Sequence, residues 1–237
     1  MKRHKKIAAA LVAASMALSM LPTAWAAEPG GAGTGELQTT VRLDYSQELS
    51  VLQARDIQAE LLQNGRSLGQ ISMTSQASGQ LDGHPAQVEL RDRLGGALTG
   101  SALPGALDLT VSDLPAGQYT LRFTGEGYTT CEVPFAICAC SQYVEVGTGD
   151  GTFALGDLDA NGLVDAKDRE LLSAALGSTA RADLDRYDLN GDGLIDIVDL
   201  ACVNRNVNTS GGQPTVLDTF CLGGLVDETQ AAADLSA

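Results

Sequence analysis

The sequence predicts a multidomain fold, in which an antiparallel β-sandwich is followed by a small α-helical domain of two loop–helix units. Three observations lead to this prediction. Apolar and polar residues alternate in short segments between turn signals over much of the chain before residue 147. The alternation stops near residue 152. Residues 157–207 then carry a repeat with a 31-residue period, rich in Asp and with apolar residues at helical spacing.

The first 26 residues have the pattern of a secretory leader. A basic segment at residues 2–6 precedes an apolar stretch at 7–21, and Ala24, Trp25 and Ala26 form a small-x-small cleavage signal. We therefore predict that residues 1–26 are a signal peptide and that the protein is secreted and extracellular. The stretch is too short and too Ala-rich for a membrane span, and no later segment approaches the ~20 apolar residues that a span requires.

The charge of the chain is strongly acidic. The leader carries four of the 15 Lys and Arg residues and none of the 30 Asp and Glu residues, so the remaining chain has a formal charge of −19. Nucleic acids attract basic surfaces through their phosphates, and this balance argues against them as partners. Divalent cations are the natural partners of such a chain.

Residues 27–36 are Gly-rich and are expected to form a flexible lead-in. Residues 37–146 are expected to form the sandwich from seven or eight short strands, with a tight hairpin at Asn64-Gly65. The period-two signal begins at Thr39, Val41 and Leu43. It continues through residues 57–62, 68–73, 88–90, 107–111, 119–123 and 133–137.

Residues 114–135, LPAGQYTLRFTGEGYTTCEVPF, carry a local resemblance. They resemble the closing hairpin of small Ig-like or transthyretin-like (prealbumin-like) modules. The resemblance implies a sandwich and no particular chemistry, because such folds support many functions.

Two segments in the acidic repeat fit the pattern D-x-[DN]-x-[DN]-G-x-x-D-x-x-D. A calcium loop of this kind takes its ligands from positions 1, 3, 5, 7, 9 and 12, with Gly at position 6 for the sharp turn. Position 7 contributes its backbone carbonyl. The candidate ligands are Asp157, Asp159, Asn161, Leu163, Asp165 and Asp168 in the first loop, and Asp188, Asn190, Asp192, Leu194, Asp196 and Asp199 in the second.

Two Ca²⁺ ions are the cofactors that these loops predict. Calcium takes about six to eight oxygen ligands in a flexible loop, whereas magnesium keeps several of its waters. A loop that merely turns is disfavoured because each loop gathers four carboxylates that repel one another without a cation.

The residues between the loops repeat as well. Val164 and Ile195, Leu172 and Val203, and Leu176 and Val207 occupy equivalent positions and predict an apolar face on the helix that follows each loop. Gly177 stands where a C-terminal cap belongs. Each unit is expected to lack the entering helix of a full EF-hand, and residues 152–209 to form the domain.

Residues 152–209 resemble a type I dockerin, the EF-hand-like domain of cellulosomes. The resemblance implies that a cohesin-type domain of a scaffoldin is the partner, in an assembly that degrades plant polysaccharides. It also implies contacts from loop positions 10 and 11 and from the helices that follow. The matching residues are Ala166, Lys167, Ile197, Val198, Asn204 and Arg205, with Ser173 and Ala174 in the first helix.

The sandwich shows no catalytic motif of the metalloprotease, nucleophile-elbow or P-loop type. His84 lies beside Pro85 in a predicted turn, and Glu60, Glu89 and Asp92 are expected on a solvated face. We predict a non-enzymatic binding or spacer module, for which a carbohydrate ligand is possible. The alternatives are a small cellulosome-linked hydrolase with an unrecognised site and a cell-surface adhesion protein with structural calcium.

Two features leave alternatives open. The five cysteines, at positions 131, 138, 140, 202 and 221, cannot all pair within one chain, and core or simple disulfide roles are favoured over a metal site. Residues 210–237 are predicted to be a linker with an unassigned tail that includes an apolar patch at 216–226.

Overall fold

The fold is given by a computed structural model that describes residues 33–43, 48–138, 141–147 and 153–207, with the backbone of 215–217. The strands are β1 (Thr34–Arg42), β2 (Gln58–Gln63), β3 (Arg66–Ser72), β4 (Ala77–Leu81), β5 (His84–Asp92), β6 (Pro104–Pro115), β7 (Gly117–Thr124), β8 (Cys131–Ile137), β9 (Gln142–Gly147) and β10 (Thr215–Leu217). The helices are α1 (Leu49–Ala54), α2 (Ala166–Ala175), α3 (Arg181–Tyr187) and α4 (Ile197–Asn206).

Two sheets form the predicted sandwich. The larger has six strands in the order β10-β9-β1-β6-β5-β4, and the smaller has four in the order β3-β2-β7-β8. Neighbouring strands run antiparallel, with the exception of β1 and β9, which pair in parallel. The prediction of a sandwich followed by helices is confirmed.

The predicted alternation places one face of each central strand in the core. On β7 the side chains of Tyr119, Leu121 and Phe123 are buried while their neighbours are partly exposed. Strands β6 and β8 repeat the pattern, because successive side chains of a strand point to opposite faces. The Asn64-Gly65 hairpin joins β2 to β3 as predicted, and Asn64 has a positive φ of 51°.

Several elements differ from the prediction. Strand β1 begins at Thr34, inside the segment expected to be a flexible lead-in. Helix α1 stands where only strands were expected, and β4 and β9 were not predicted. Strand β4 has few apolar residues, whereas β9 is short, with Val144 and Val146 on one face. From the predicted tail, β10 pairs with β9. The predicted leader lies outside the described residues. No helix within the described ranges is both long enough and apolar enough to cross a membrane.

The segment that leads into the first acidic loop packs in the core of the sandwich. The ring of Phe153 is fully buried and stacks on Tyr128, with centroids 4.7 Å apart and an interplanar angle of 11°. Phe123 of β7 lies 6.0 Å from the same ring. Leu155 is also buried and forms an antiparallel bridge with Tyr128. The sandwich and the loop–helix units therefore share one hydrophobic core.

Polar groups of the sandwich and of the segment before the first loop form hydrogen bonds with each other. The Thr129 amide donates to the Ala154 carbonyl (2.9 Å), and the Ala154 amide donates to the Thr129 hydroxyl (3.0 Å). The buried Asn206 side chain, near the end of α4, donates to the Leu155 carbonyl at 2.8 Å. Because buried amides and carbonyls are costly when unpaired, these bonds hold the connection in one conformation.

Phe153→Ala tests the shared core. Removing this ring deletes the stacking partner of Tyr128 and leaves a cavity, so we expect a loss of about 3–5 kcal/mol in the free energy of unfolding. Urea unfolding followed by far-UV circular dichroism measures it. Leu94→Ala is the control, because Leu94 is 96% exposed and its truncation should cost about 0.5 kcal/mol or less. Equal losses in the two variants would contradict the packing described here.

Candidate metal-binding loops

The carboxylate at position 12 closes each acidic loop. In the first loop Asp168 is fully buried in the first turn of α2. Its Oδ1 accepts the amides of Leu158 (2.8 Å) and Asp159 (3.2 Å), and its Oδ2 accepts the amide of Asp165 (2.8 Å). One side chain therefore joins the start of the loop to its end.

The carboxylate at position 1 organises the middle of the loop. Asp157 is 5% exposed, and its two oxygens accept the amides of Asn161 (3.0 Å) and Gly162 (2.8 Å). Asn161 at position 5 in turn accepts the Leu163 amide at 2.8 Å. The chain is thus wrapped so that the side chains at positions 1, 3 and 12 converge.

The second loop repeats the bonding of position 12 and differs at one amide bonded to position 1, which comes from position 4 in place of position 5. Position 12, Asp199, is fully buried and accepts the amides of residues 189, 190 and 196 at 2.7, 3.2 and 2.9 Å. Position 1, Asp188, accepts those of Gly191 (2.7 Å) and Gly193 (2.8 Å). Position 5, Asp192, accepts the Leu194 amide at 2.9 Å. The two loops therefore share the bonding of position 12 and of the glycine at position 6, as their sequences predict.

Position 9 also serves as the N-cap of the helix that follows. Asp165 accepts the Lys167 amide and Asp196 accepts the Val198 amide, both at 2.7 Å. With position 12 at N3, each loop forms a reciprocal capping box. The acidic residues thus start α2 and α4 as well as lining the loops, and position 12 lies at the favourable end of the helix dipole.

The first loop gathers carboxylates at the distances that a cation needs. The ligand oxygens of Asp157, Asp159 and Asp168 all lie within 4.8 Å of one another. Burial raises the pKa of Asp157 above its ordinary value, although two backbone amides oppose the shift. Burial likewise raises the pKa of Asp199 in the second loop. Both shifts indicate that these carboxylates are costly to keep charged without a nearby cation.

Calcium fits the donors of the first loop. One oxygen of Asp159, Oδ1, is buried and has no hydrogen-bond partner among the described residues. The other, Oδ2, lies 2.6 Å from Lys167 Nζ, and this hydrogen bond lowers the pKa of Asp159. A buried carboxylate oxygen beside two other carboxylates is a ligand position for a hard cation. The donors are all oxygens, which calcium prefers.

Four of the six predicted apolar positions in the two units are buried, and the other two, Leu176 and Val207, lie just beyond the ends of α2 and α4. Val164, Leu172, Ile195 and Val203 are buried as expected. Leu176, expected in the same face, is 43% exposed, because α2 ends at Ala175 and Leu176 leaves the helical conformation with ψ of 128°.

The prediction that each unit lacks an entering helix is wrong for the second loop. Helix α3 (Arg181–Tyr187) ends immediately before Asp188. It also places Arg186, whose Nη2 donates to the Leu158 carbonyl of the first loop at 2.5 Å. This helix could not be predicted from an N-cap signal, since its N-cap is Ala180 and no side chain caps it.

The residues that the dockerin resemblance implies for partner contact all lie on the surface. Ile197 is 76% exposed and Val198 is 48% exposed at the start of α4, beside Leu194 at 58%. Lys167 is exposed but ion-paired within its own loop. The remaining positions are also exposed, namely Ala166, Ser173, Ala174, Asn204 and Arg205.

Three acidic residues of the sandwich, Glu60, Glu89 and Asp92, each have an ion-pair or hydrogen-bond partner. Glu60 pairs with Arg122 at 2.9 Å, and Glu89 pairs with Arg91 at 2.5 Å. Asp92 accepts the amides of residues 94 and 96 in the β5–β6 loop. His84 is the first residue of β5 and is partly exposed.

Three of the five cysteines lie among the described residues, each on a different element or loop. Cys131 begins β8 and Cys202 lies in α4, and both are buried, whereas Cys138 follows β8 and is exposed. Cys140 and Cys221 lie outside the described residues. The predictions of core and disulfide roles stay predictions.

Two loop–helix units with the same capping box and the same bonds to position 12 define a paired EF-hand-like domain. Residues 155–208 match the family model of the dockerin type I domain. This part of the chain is therefore a type I dockerin domain. A search of curated proteins returned no match for the chain.

Three solved structures are similar to the chain. Two are mutants of a type II cohesin–X–dockerin complex from Acetivibrio cellulolyticus, altered at the N-terminal and C-terminal interfaces, with TM-scores of 0.47 and 0.45. Each is 16% identical and covers 75% of this chain and 97% of its own. The third is Klebsiella pneumoniae 5-hydroxyisourate hydrolase, with a TM-score of 0.22, 14% identity, and coverage of 49% and 91%. All three TM-scores lie below 0.5.

The equivalence of the two loops can be tested at position 6. Gly162 and Gly193 share a φ of 86°, and a Cβ added at either would meet no atom within 4 Å. Gly162→Ala and Gly193→Ala should therefore each cost about 1–2 kcal/mol from left-handed backbone strain alone. Urea unfolding in EGTA measures this, with the exposed Ser173→Ala as control. A difference of more than about 1 kcal/mol between the two glycine variants would contradict the equivalence.

Proposed function

We propose that the chain is a secreted calcium-binding protein whose dockerin domain binds two Ca²⁺ ions and docks onto a cohesin-type domain of a scaffoldin. The sandwich is its accessory binding or spacer module in an extracellular, cellulosome-like assembly that degrades polysaccharides. The observation that carries the proposal is the buried oxygen of Asp159, left without a partner beside Asp157 and Asp168 in a loop whose bonding recurs 31 residues later.

Bound calcium neutralises the carboxylates of each loop. The side chains at positions 1, 3, 5, 9 and 12 and the carbonyl at position 7 supply the oxygens. Positions 1 and 12 need little rearrangement, because backbone amides already hold them in the loop. At position 3 of the first loop, Oδ1 of Asp159 is the oxygen that faces the ion, while Oδ2 pairs with Lys167.

Substitution at position 12 tests the proposed stoichiometry. Calorimetric titration of the full chain should find two calcium sites in the wild type, one in Asp168→Ala or Asp199→Ala, and none in the double variant. The reason is that each substitution removes a ligand together with the acceptor of three backbone amides.

Asp185→Ala is the matched control for calcium binding. Asp185 is an exposed acid of α3 that pairs with Arg181 and lies outside both loops. Its substitution should leave both sites intact. Two sites in the double variant would disprove the assigned ligands, and no binding by the wild type would disprove calcium binding altogether.

The exposed surface favours the second half of the dockerin domain as the docking face. Ile197, Val198 and Leu194 form an exposed apolar patch at the start of α4, and Arg205 lies exposed later on the same helix. Buried apolar anchors supply most of the free energy of binding at interfaces, and an arginine can bridge acidic groups at the rim. The first half offers Ala166 and Lys167, and Lys167 is already paired with Asp159.

We therefore expect one dominant docking orientation. Ile197→Asp should weaken cohesin binding by several kcal/mol, because it places a charge in the buried centre of the interface, whereas Lys167→Ala should cost about 1 kcal/mol or less. Calorimetric titration of the calcium-loaded chain with a cognate cohesin measures both. Leu94→Asp makes the same kind of change on an exposed sandwich residue and should have no effect. Equal losses at Ile197 and Lys167 would disprove the assigned face.

The sandwich supports a non-catalytic role. Its candidate acids Glu60 and Glu89 are held in ion pairs with arginines, which leaves them poorly placed as a general acid and base. Screening the full chain against glycosides, esters and peptides checks this part of the proposal, and turnover that depends on either carboxylate would overturn it.

A further inference from the structure

The second calcium loop is bound to the sandwich through a buried arginine. Arg55, which caps the C-terminus of α1, is 4% exposed, and its Nη2 donates to the carbonyl of Asp188 at 2.8 Å. Asp188 is position 1 of the loop. Its carbonyl direction and its carboxylate position depend on the same backbone, so a bond to the carbonyl also fixes where the first ligand points.

Helix α1 also covers position 4 of the second loop. A Cβ built on Gly191 would lie 2.2 Å from Cγ2 of Val51, so only glycine fits against α1. Position 4 of the first loop is Ala160, which is exposed and has a similar positive φ of 59°. The backbone conformation is shared, and the contact with Val51 accounts for the different residue.

The first loop joins the sandwich through its backbone. The amides of Gly156 and Asp157 both donate to the carbonyl of Gly127, at 2.7 and 3.1 Å. Gly127 lies in the turn between β7 and β8, one residue before Tyr128, and the backbone carbonyl of Arg55 accepts the Glu126 amide at 2.7 Å. The turn that receives the first loop is thus bonded to the arginine that holds the second.

We propose that the sandwich is part of the calcium-binding unit, with Arg55 and Val51 as positioning residues for the second loop. This inference rests on the proposed calcium binding. Calcium binds the ordered loops, and α1 and the β7–β8 turn hold the loops in that order. Calcium binding therefore stabilises α1 and the turn, and by the same coupling these two elements strengthen calcium binding. The second loop depends on the sandwich more than the first does. Its position 1 is hydrogen-bonded to Arg55, and its position 4 packs against Val51 of α1.

The chain supplies a reporter for each loop. The amides of Gly162 and Gly193 each donate to the position-1 carboxylate of their own loop at 2.8 Å, so their NMR signals follow the two loops separately during a calcium titration of the full chain. We expect Arg55→Met and Gly191→Ala to weaken calcium binding reported by Gly193 about tenfold or more, and that reported by Gly162 about threefold or less.

Two matched variants isolate the contacts. Arg186 donates to a carbonyl of the first loop, Leu158, so Arg186→Met should affect Gly162 and spare Gly193. Val51→Gly removes the atoms that Gly191→Ala would meet. The combined variant Val51→Gly with Gly191→Ala should therefore bind calcium at the second loop more tightly than the sum of the two single effects predicts.

Hydrogen exchange in the wild type needs no variant. Calcium should slow exchange of the Glu126 and Thr129 amides, which lie at the junction in the sandwich. Exchange unchanged by calcium, or wild-type affinity at the second loop in both Arg55→Met and Gly191→Ala, would overturn the inference while leaving the proposed calcium binding in place. If neither glycine signal responds to calcium in the wild type, the proposed calcium binding itself fails.

Discussion

The buried carboxylate at position 12 is the constraint on which the dockerin domain depends. Asp168 and Asp199 each accept three backbone amides from both ends of a loop and stand in the first turn of the following helix. One residue therefore closes the loop, completes the capping box and offers charge to a cation. Burial raises the pKa of Asp199, and the three amide hydrogen bonds to it oppose that shift.

The first loop is also connected directly to the core of the sandwich. Phe153 and Leu155 belong to the sandwich core, and the chain reaches position 1 of the first loop only two residues after Leu155. No flexible spacer separates the core from the first ligand. Near residue 152 the sequence changes from alternating strands to an acidic repeat. The buried residues described on either side of this point nevertheless belong to one hydrophobic core.

Local patterns were readable from the sequence, and contacts between distant residues were not. The loops could be predicted residue by residue, because a twelve-residue ligand pattern acts within itself. The central strands followed from alternation, as at Tyr119, Leu121 and Phe123. Helices α1 and α3 were missed, because both are short and neither has a side-chain N-cap. Arg55 gave no signal, since its partner Asp188 lies 133 residues further along the chain.

The position of β1 has a consequence for the order in which the protein forms. This strand lies between β6 and β9 in the larger sheet, and its parallel partner β9 begins a hundred residues later, at Gln142. Pairings across such long separations close large loops before they gain contacts, and domains rich in them fold in about milliseconds to seconds. The first strand of the sheet to be synthesised is thus among the last to gain both of its neighbours.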